Sequence, residues 1–135
     1  MKALDTSVLL ALLEGDRSAV DLVRKLRGVE VTTTEANLLE LSFLAGHGSP
    51  RVRSRRREVL DRLRRKVTVL PIDARAVAEA QGEILRGEAP PSPLLAGMLG
   101  ALEAAGCDEL YTSDPREYRG HWRFRVIKFT RRAPK

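Results

Sequence analysis

The sequence predicts an α/β fold in which a mostly parallel sheet of four to five strands is wrapped by helices. Two observations carry that expectation. Short apolar or β-branched runs alternate with helix-length amphipathic segments along the whole chain, the pattern of strands joined by helical crossovers. The helical segments open on capping residues or proline and often close on glycine, so the alternation has punctuation as well as period.

Ala3 and Leu4 end a first strand, and Asp5, Thr6 or Ser7 caps the helix that follows from Val8 to Leu13. Gly15-Asp16 breaks the chain, after which Ala19, Leu22, Val23 and Leu26 recur at helical spacing. Val29 to Thr33 is β-branched and reads as the second strand. Thr34-Glu35 caps a third helix with an apolar face of Leu38, Leu41, Leu44 and Ala45, closed by Gly46 and Gly48. Pro50 opens a basic helix. Val67 to Leu70 is a third strand that Pro71 stops, and Asp73 caps a helix from Ala74 to Leu85. Gly87 to Pro93 is a rigid loop, with Ser92 the N-cap and Pro93 the first position of a helix running to Ala105 and ended by Gly106. Glu109 to Thr112 and Phe124 to Phe129 read as the last two strands.

At 135 residues the chain has the size of one domain, expected over residues 1–130, with Arg131 to Lys135 a basic tail that frays. The single cysteine, Cys107, excludes an internal disulfide and a cysteine-based metal site, and reads as a small buried residue. Met1-Lys2 leads directly into a strand and no apolar run approaches a membrane span, so a cytoplasmic protein without a signal peptide is expected. One Asn and one Gln among abundant Arg and Glu are the composition of a heat-adapted chain. A net charge of +6 with a pI near 10.1 points to a polyanionic partner or to a merely soluble, Arg-rich surface.

Three carboxylates fall where such a fold gathers ligands. Asp5 follows the first strand at its carboxyl end, the position of the crevice in an open α/β sheet. Glu40 lies between Leu39 and Leu41 in mid-helix, near the apolar face, where a carboxylate costs free energy unless paired or metal-bound. Asp114 closes Leu110-Tyr111-Thr112-Ser113-Asp114, again at a strand end. Each has an ordinary structural use as cap, solvated residue or turn starter; together they suit a hard cation and a phosphate ester. His47 and His121 have no partner at ligand spacing and are assigned to structure or surface.

The order Leu4-Asp5-Thr6-Ser7-Val8-Leu9, then Thr34 to Leu41 with Glu40, then Gly106 to Asp114 with Thr112-x-Asp114, resembles the PIN domain, the metal-dependent ribonuclease fold of VapC-type toxins. No single one of these motifs is specific; their order and spacing across nearly the whole chain are. The resemblance implies a PIN-like three-layer α/β/α fold. It implies Mg²⁺ or Mn²⁺ held by Asp5, Glu40 and Asp114, with Thr6, Ser7 and Thr112 as supporting hydroxyls. Where the family carries a further Asp, this chain reads Ser92-Pro93-Leu94-Leu95-Ala96-Gly97, which puts Ser92 at a catalytic position. Mg²⁺ needs only one or two carboxylates besides water and substrate oxygens, so three acids suffice for one ion, whereas a second would be held poorly. Ser92 either ligates through a water or is only the helix N-cap, and Glu88 is the loop acid placed to substitute for it.

The function implied is a Mg²⁺-dependent endoribonuclease hydrolysing RNA phosphodiesters, the toxin of a type II toxin–antitoxin pair, with an antitoxin protein as partner and a homodimer as its assembly. The alternative is a catalytically impaired PIN fold that binds RNA or a protein. A phospho-acceptor domain built on Asp5 fits less well, because the chain lacks the paired neighbouring acids and the Lys such folds need.

Nine cations, Arg51, Arg53, Arg55, Arg56, Arg57, Arg62, Arg64, Arg65 and Lys66, crowd the fourth helix against Glu58 and Asp61. Arg51, Arg55, Arg62 and Arg65 are the candidate RNA or partner contacts, with a solvated face as the plainer reading. Tyr118, Trp122 and Phe124 are candidates to stack bases, though aromatics make up only 4% of the chain and packing along the last strand accounts for them.

Overall fold

Six helices begin on a side chain that accepts the backbone N–H three residues further on: Asp5 from Val8, Asp16 from Ala19, Thr34 from Asn37, Ser49 from Val52, Asp73 from Ala76 and Ser92 from Leu95. Each cap satisfies an N–H that the helix leaves orphaned and stabilises by about 0.5–2 kcal/mol. The starting points are thus fixed locally by sequence. The computed structural model describes residues 1–88, 90–118 and 120–132.

Within them the order is β1 (Lys2–Leu4), α1 (Thr6–Leu13), α2 (Arg17–Lys25), β2 (Val31–Thr34), α3 (Glu35–Ala45), α4 (Pro50–Lys66), β3 (Thr68–Leu70), α5 (Ala74–Leu85), α6 (Pro93–Ala104), β4 (Glu109–Thr112), a 3₁₀ turn (Pro115–Glu117) and β5 (Arg125–Lys128). The five strands form one sheet in the order β3-β2-β1-β4-β5, and every neighbouring pair is parallel. The expected α/β fold with a parallel sheet between helical layers is what the chain adopts.

Helices cover both faces of the sheet. On one, Ala3 and Leu110 pack with Met98, Leu99 and Leu102 of α6 and with Phe124. On the other, Leu4 packs with Val8 and Leu9 of α1, Ala19 of α2, Leu41 of α3 and Phe129. The helices α5 and α6 touch most closely at Gly100, where a Cβ would overlap the Ala76 carbonyl, so only glycine permits that approach.

The chain builds outward from β1 to β2 and β3, then returns to β4 on the other side of β1. Connections leaving β1 and β4 at their carboxyl ends therefore run in opposite directions, and this switch point opens a crevice. Asp5 follows β1 there and Asp114 lies just beyond β4.

Several expected boundaries shift. The second strand is Val31–Thr34 rather than 29–33, because Thr34 both ends the strand and caps α3. The last strand is the shorter Arg125–Lys128; Phe124 and Phe129 flank it with buried side chains, and the Phe129 N–H still donates to the Thr112 carbonyl of β4 at 2.6 Å. Leu44, placed on the buried face of α3, is 48% exposed, because α3 is apolar on more than one side. Arg131 and Arg132 pair with Glu14 and Asp21; residues 133–135 of the expected tail lie outside the described residues. No helix among the described residues is long and apolar enough to cross a membrane.

Candidate acidic site

Asp5 is the first fixed point. Its backbone N–H donates to the Tyr111 carbonyl, which ties the end of β1 to β4. Its side chain is 5% exposed and receives three donors: Ser7 Oγ at 2.5 Å and Val8 N at 3.2 Å on Oδ1, and the Tyr118 hydroxyl at 2.5 Å on Oδ2. The carboxylate thus does cap α1, and it also closes a contact across 113 residues of sequence. Burial, followed by the Asp5 charge, pushes the Tyr118 hydroxyl far above its ordinary pKa. It stays protonated and is held as a donor.

The neighbouring hydroxyls are all engaged. Ser7 Oγ also accepts the Ser113 N–H at 3.0 Å, and Thr112 Oγ1 accepts the Asp114 N–H at 3.1 Å. Thr6 Oγ1 accepts Asn37 Nδ2 at 3.1 Å. The other end of Asn37 completes a capping box with Thr34, so this amide fastens α3 to α1.

Asp5 and Glu40 line one cleft of about 390 Å³ between α1, α3 and the start of α6. Ser92 stands on its rim, exposed, with its hydroxyl accepting the Leu95 N–H as helix cap. Glu40 is exposed at the cleft mouth, so the desolvation cost expected for it does not arise. Asp114 stands apart from the cleft lining: its Oδ1 accepts from Arg116 N and Nε, at 3.3 and 3.1 Å. In its place Glu117, three residues on, lines the cleft beside Tyr118. Partial desolvation, then the charges of Asp114, Asp5 and Glu40, raise the Glu117 carboxyl above its ordinary pKa. All four acids therefore act on one electrostatic locus.

Sequence reasoning missed Glu117 and the role of Tyr118. The signal for the first was the acid at i+3 from Asp114 on a turn opened by Pro115. No local pattern announced the second, since Tyr118 meets Asp5 only through the fold.

Glu83 of α5 holds the segment that carries these residues. It is 5% exposed, accepts the His121 N–H at 2.8 Å on Oε2 and pairs with Arg86 at 2.9 Å. Gly120 makes the approach feasible: its φ is +131°, and a Cβ there would strike the Trp122 indole. Trp122 stacks on Phe124 with centroids 5.8 Å apart, so both rings serve packing.

The charged donors of the acidic cleft are carboxylate oxygens, a set suited to hard divalent cations, and the Met98 sulfur on its lining is taken up by Asn37. Among the described residues no three His, Cys, Asp or Glu side chains stand close enough to enclose an ion. The donors fit an ion held by one or two carboxylates, with water and phosphate oxygens completing its shell, and they do not fit a protein-enclosed pair of ions. The negative charges that add to desolvation in raising Glu117 are a local excess that such a cation relieves.

A parallel sheet with order 3-2-1-4-5 and an acidic cleft at its switch point define an α/β protein with a candidate cation site. The chain belongs to the PIN domain family, which it matches over residues 2–114. It is similar in fold to VapBC2 from Rickettsia felis, solved bound to a DNA fragment from its promoter, with TM-score 0.76, 11% identity and coverage of 96% of this chain and 98% of that one. It is similar also to DNA-bound VapBC from Salmonella typhimurium, with TM-score 0.77, 18% identity and coverage of 94% and 96%. A third similar structure is Mycobacterium tuberculosis VapC20, a sarcin-ricin loop cleaving toxin, with TM-score 0.61, 21% identity and coverage of 85% and 91%. No curated protein sequence matches the chain.

Proposed function

We propose that this chain is a divalent-metal-dependent endoribonuclease, with Mg²⁺ or Mn²⁺ as the ion, acting as the toxin of a type II toxin–antitoxin pair. The observation that carries the reading is the gathering of Asp5, Glu40 and Glu117 on one cleft at the sheet's switch point, in a chain of the PIN family. Asp5 and Glu40 are the proposed metal ligands, with Glu117 adding negative charge to the cleft and Asp114 standing on the adjoining turn. A bound divalent ion supplies a water of lowered pKa and neutralises charge at the phosphate. Ser7, Val8 and Tyr118 hold the Asp5 carboxylate in one orientation, so its geometry is set before ligand arrives. Thr6 and Thr112 fasten the elements around it rather than facing the phosphate.

The cations of α4 provide the approach. The helix has no buried residue, and Arg51, Arg55, Arg62 and Arg65 are all exposed, which supports a role in attracting RNA. Arg56 is committed elsewhere, donating to the Ala45 and His47 carbonyls at 3.0 and 2.7 Å. Leu39, Phe43 and Leu44 of α3 and Leu94 of α6 are 48–74% exposed, and Leu44 and Leu94 line the cleft itself. That apolar rim supports a protein partner, an antitoxin or a second copy of the chain. A cytoplasmic location accords with this role.

Ser92 favours a second reading, an RNA- or protein-binding module with impaired catalysis, because its hydroxyl is occupied as a cap where a carboxylate is expected. The test is cleavage of a mixed RNA pool with Mn²⁺ or Mg²⁺ by the wild type, Asp5→Asn and Ser92→Asp. The nuclease reading expects metal-dependent cleavage that Asp5→Asn abolishes and Ser92→Asp accelerates, with tighter metal binding in the latter. Intact RNA binding without cleavage by wild type or Ser92→Asp would replace it with the binding module.

A further inference from the structure

A second cleft, of about 560 Å³, opens between α2 and the ends of β4 and β5. Arg24 and Lys25 reach it from the last turn of α2, Lys128 from the end of β5, and Arg132 from the segment beyond. Among the described residues Asp21 is the only acid on its lining, and that carboxylate is already paired with Arg132 at 3.0 Å. Among the described residues Arg24, Lys25 and Lys128 form no ion pair. The carboxyl end of α2 contributes about half a negative charge to the same region, which a net of three positive charges from the lining outweighs. Unlike the convex array on α4, these cations converge on a concavity, where low-dielectric walls focus the field.

We propose that this basic cleft is a phosphate-binding subsite for single-stranded RNA, holding the chain on one side of the bond presented to the acidic cleft. The inference rests on the nuclease reading above for the second half of that statement, and on the cleft itself for the first. Two features favour a nucleic acid over an acidic protein. The half-buried Tyr111 ring forms part of the wall beside the cations, giving a base a face to stack on as well as charges for its phosphates. The two clefts are also joined through β4. Tyr111 lines the basic one, and Ser113, two residues on, donates to Ser7 in the acidic one. Both clefts therefore border the carboxyl end of β4.

The test measures anisotropy of a short fluorescein-labelled oligouridylate with the full chain, in EDTA to prevent cleavage, across a salt series. Each single-strand phosphate contact contributes a slope of about 0.7 in log affinity against log salt, equivalent to about fourfold in affinity at 0.15 M. Lys25→Ala combined with Lys128→Ala is expected to weaken binding about fifteenfold and to flatten the slope by about 1.4. Asp21→Asn, which releases Arg132, is expected to tighten it, a gain that misfolding does not produce. Mn²⁺-dependent hydrolysis of bis(4-nitrophenyl) phosphate, too small to reach the basic cleft, should be unchanged in all three chains.

Unchanged RNA affinity in both variants would overturn the subsite, and persisting hydrolysis of the small ester would leave the nuclease reading in place. Loss of RNA affinity as expected, with no ester hydrolysis by any chain, would uphold the subsite and remove the nuclease reading. Binding of polyglutamate but not RNA, abolished by the double substitution, would overturn the subsite in favour of an acidic protein partner.

Discussion

Tyr118→Phe isolates the contact on which the geometry of Asp5 depends. The substitution deletes one hydroxyl and keeps the ring, which packs with Met98, Leu99 and Phe124 in the core. Tyr118 is 9% exposed and Asp5 5%, so solvent cannot replace the lost donor readily. A hydrogen bond to a charged group contributes about 1.5–3 kcal/mol, against about 1 kcal/mol for a neutral pair. With a urea dependence of about 2 kcal/mol per molar, the unfolding midpoint should fall by roughly 0.75–1.5 M. The charge origin is then tested by a double-mutant cycle with Asp5→Asn, which retains the shape and removes the charge. In the Asn background the Tyr118→Phe step should cost about 1 kcal/mol or less. An equal cost in both backgrounds, or a midpoint unmoved by the single substitution, would refute the claim that the hydroxyl acts by holding a buried carboxylate.

Three further outcomes follow from the same packing. Gly100→Ala forces α5 and α6 apart at the Ala76 carbonyl and should destabilise by about 1–3 kcal/mol or more in urea titration. Cys107 is 3% exposed, and burial pushes its thiol up to about 11 from an ordinary 9. Its protonated form is the one the fold favours, so this contribution to stability is complete below pH 9 and is lost as pH rises through 11. Ellman's reagent at pH 8 should therefore react slowly with native protein and fully in denaturant. Glu83→Gln removes the charge that binds the His121 N–H and Arg86, and should cost about 1–2 kcal/mol in thermal unfolding while increasing proteolysis of the segment beyond Tyr118.

How far the sequence could be read depended on whether the signal was local. The caps were legible because a cap and its N–H lie three residues apart: Asp73 and Ser92 were placed from pattern alone and hold those positions. The alternation that gave the α/β class is likewise carried by stretches of ten residues or so. Strand ends were less legible, since Thr34 can finish β2 and cap α3 with one backbone, and period alone does not say where pairing stops. The site was half legible. Asp5 and Asp114 were marked by their positions at strand ends and Glu40 by its place near an apolar helix face, and the family resemblance implied their shared role. The exposure of Glu40 was not foreseen, because α3 turns apolar residues to the core and to the cleft mouth alike. Glu117 sits on the same short turn as Asp114, and it is Glu117 that lines the cleft while Asp114 accepts from Arg116. The contacts of Tyr118 and Glu83 span 113 and 38 residues and leave no mark in a single sequence.

The distribution of charge bears on how such a protein would work. A chain with net charge +6 attracts a polyanion, yet the cleft at the switch point is acidic and repels phosphate by itself. On the proposed function, attraction and chemistry are therefore separated in space. The exposed arginines of α4 and the cations of the second cleft would raise the local concentration of RNA and respond steeply to salt. Of the cleft carboxylates Asp5 is buried, where screening is weaker, while Glu40 stands exposed at the mouth. If the proposed roles hold, adding salt raises KM far more than it changes kcat, whereas Asp5→Asn lowers kcat with little effect on the salt dependence of binding. A common loss of both parameters with salt would mean instead that the acids and the cations act on the same phosphate, and that the division between the two clefts is false.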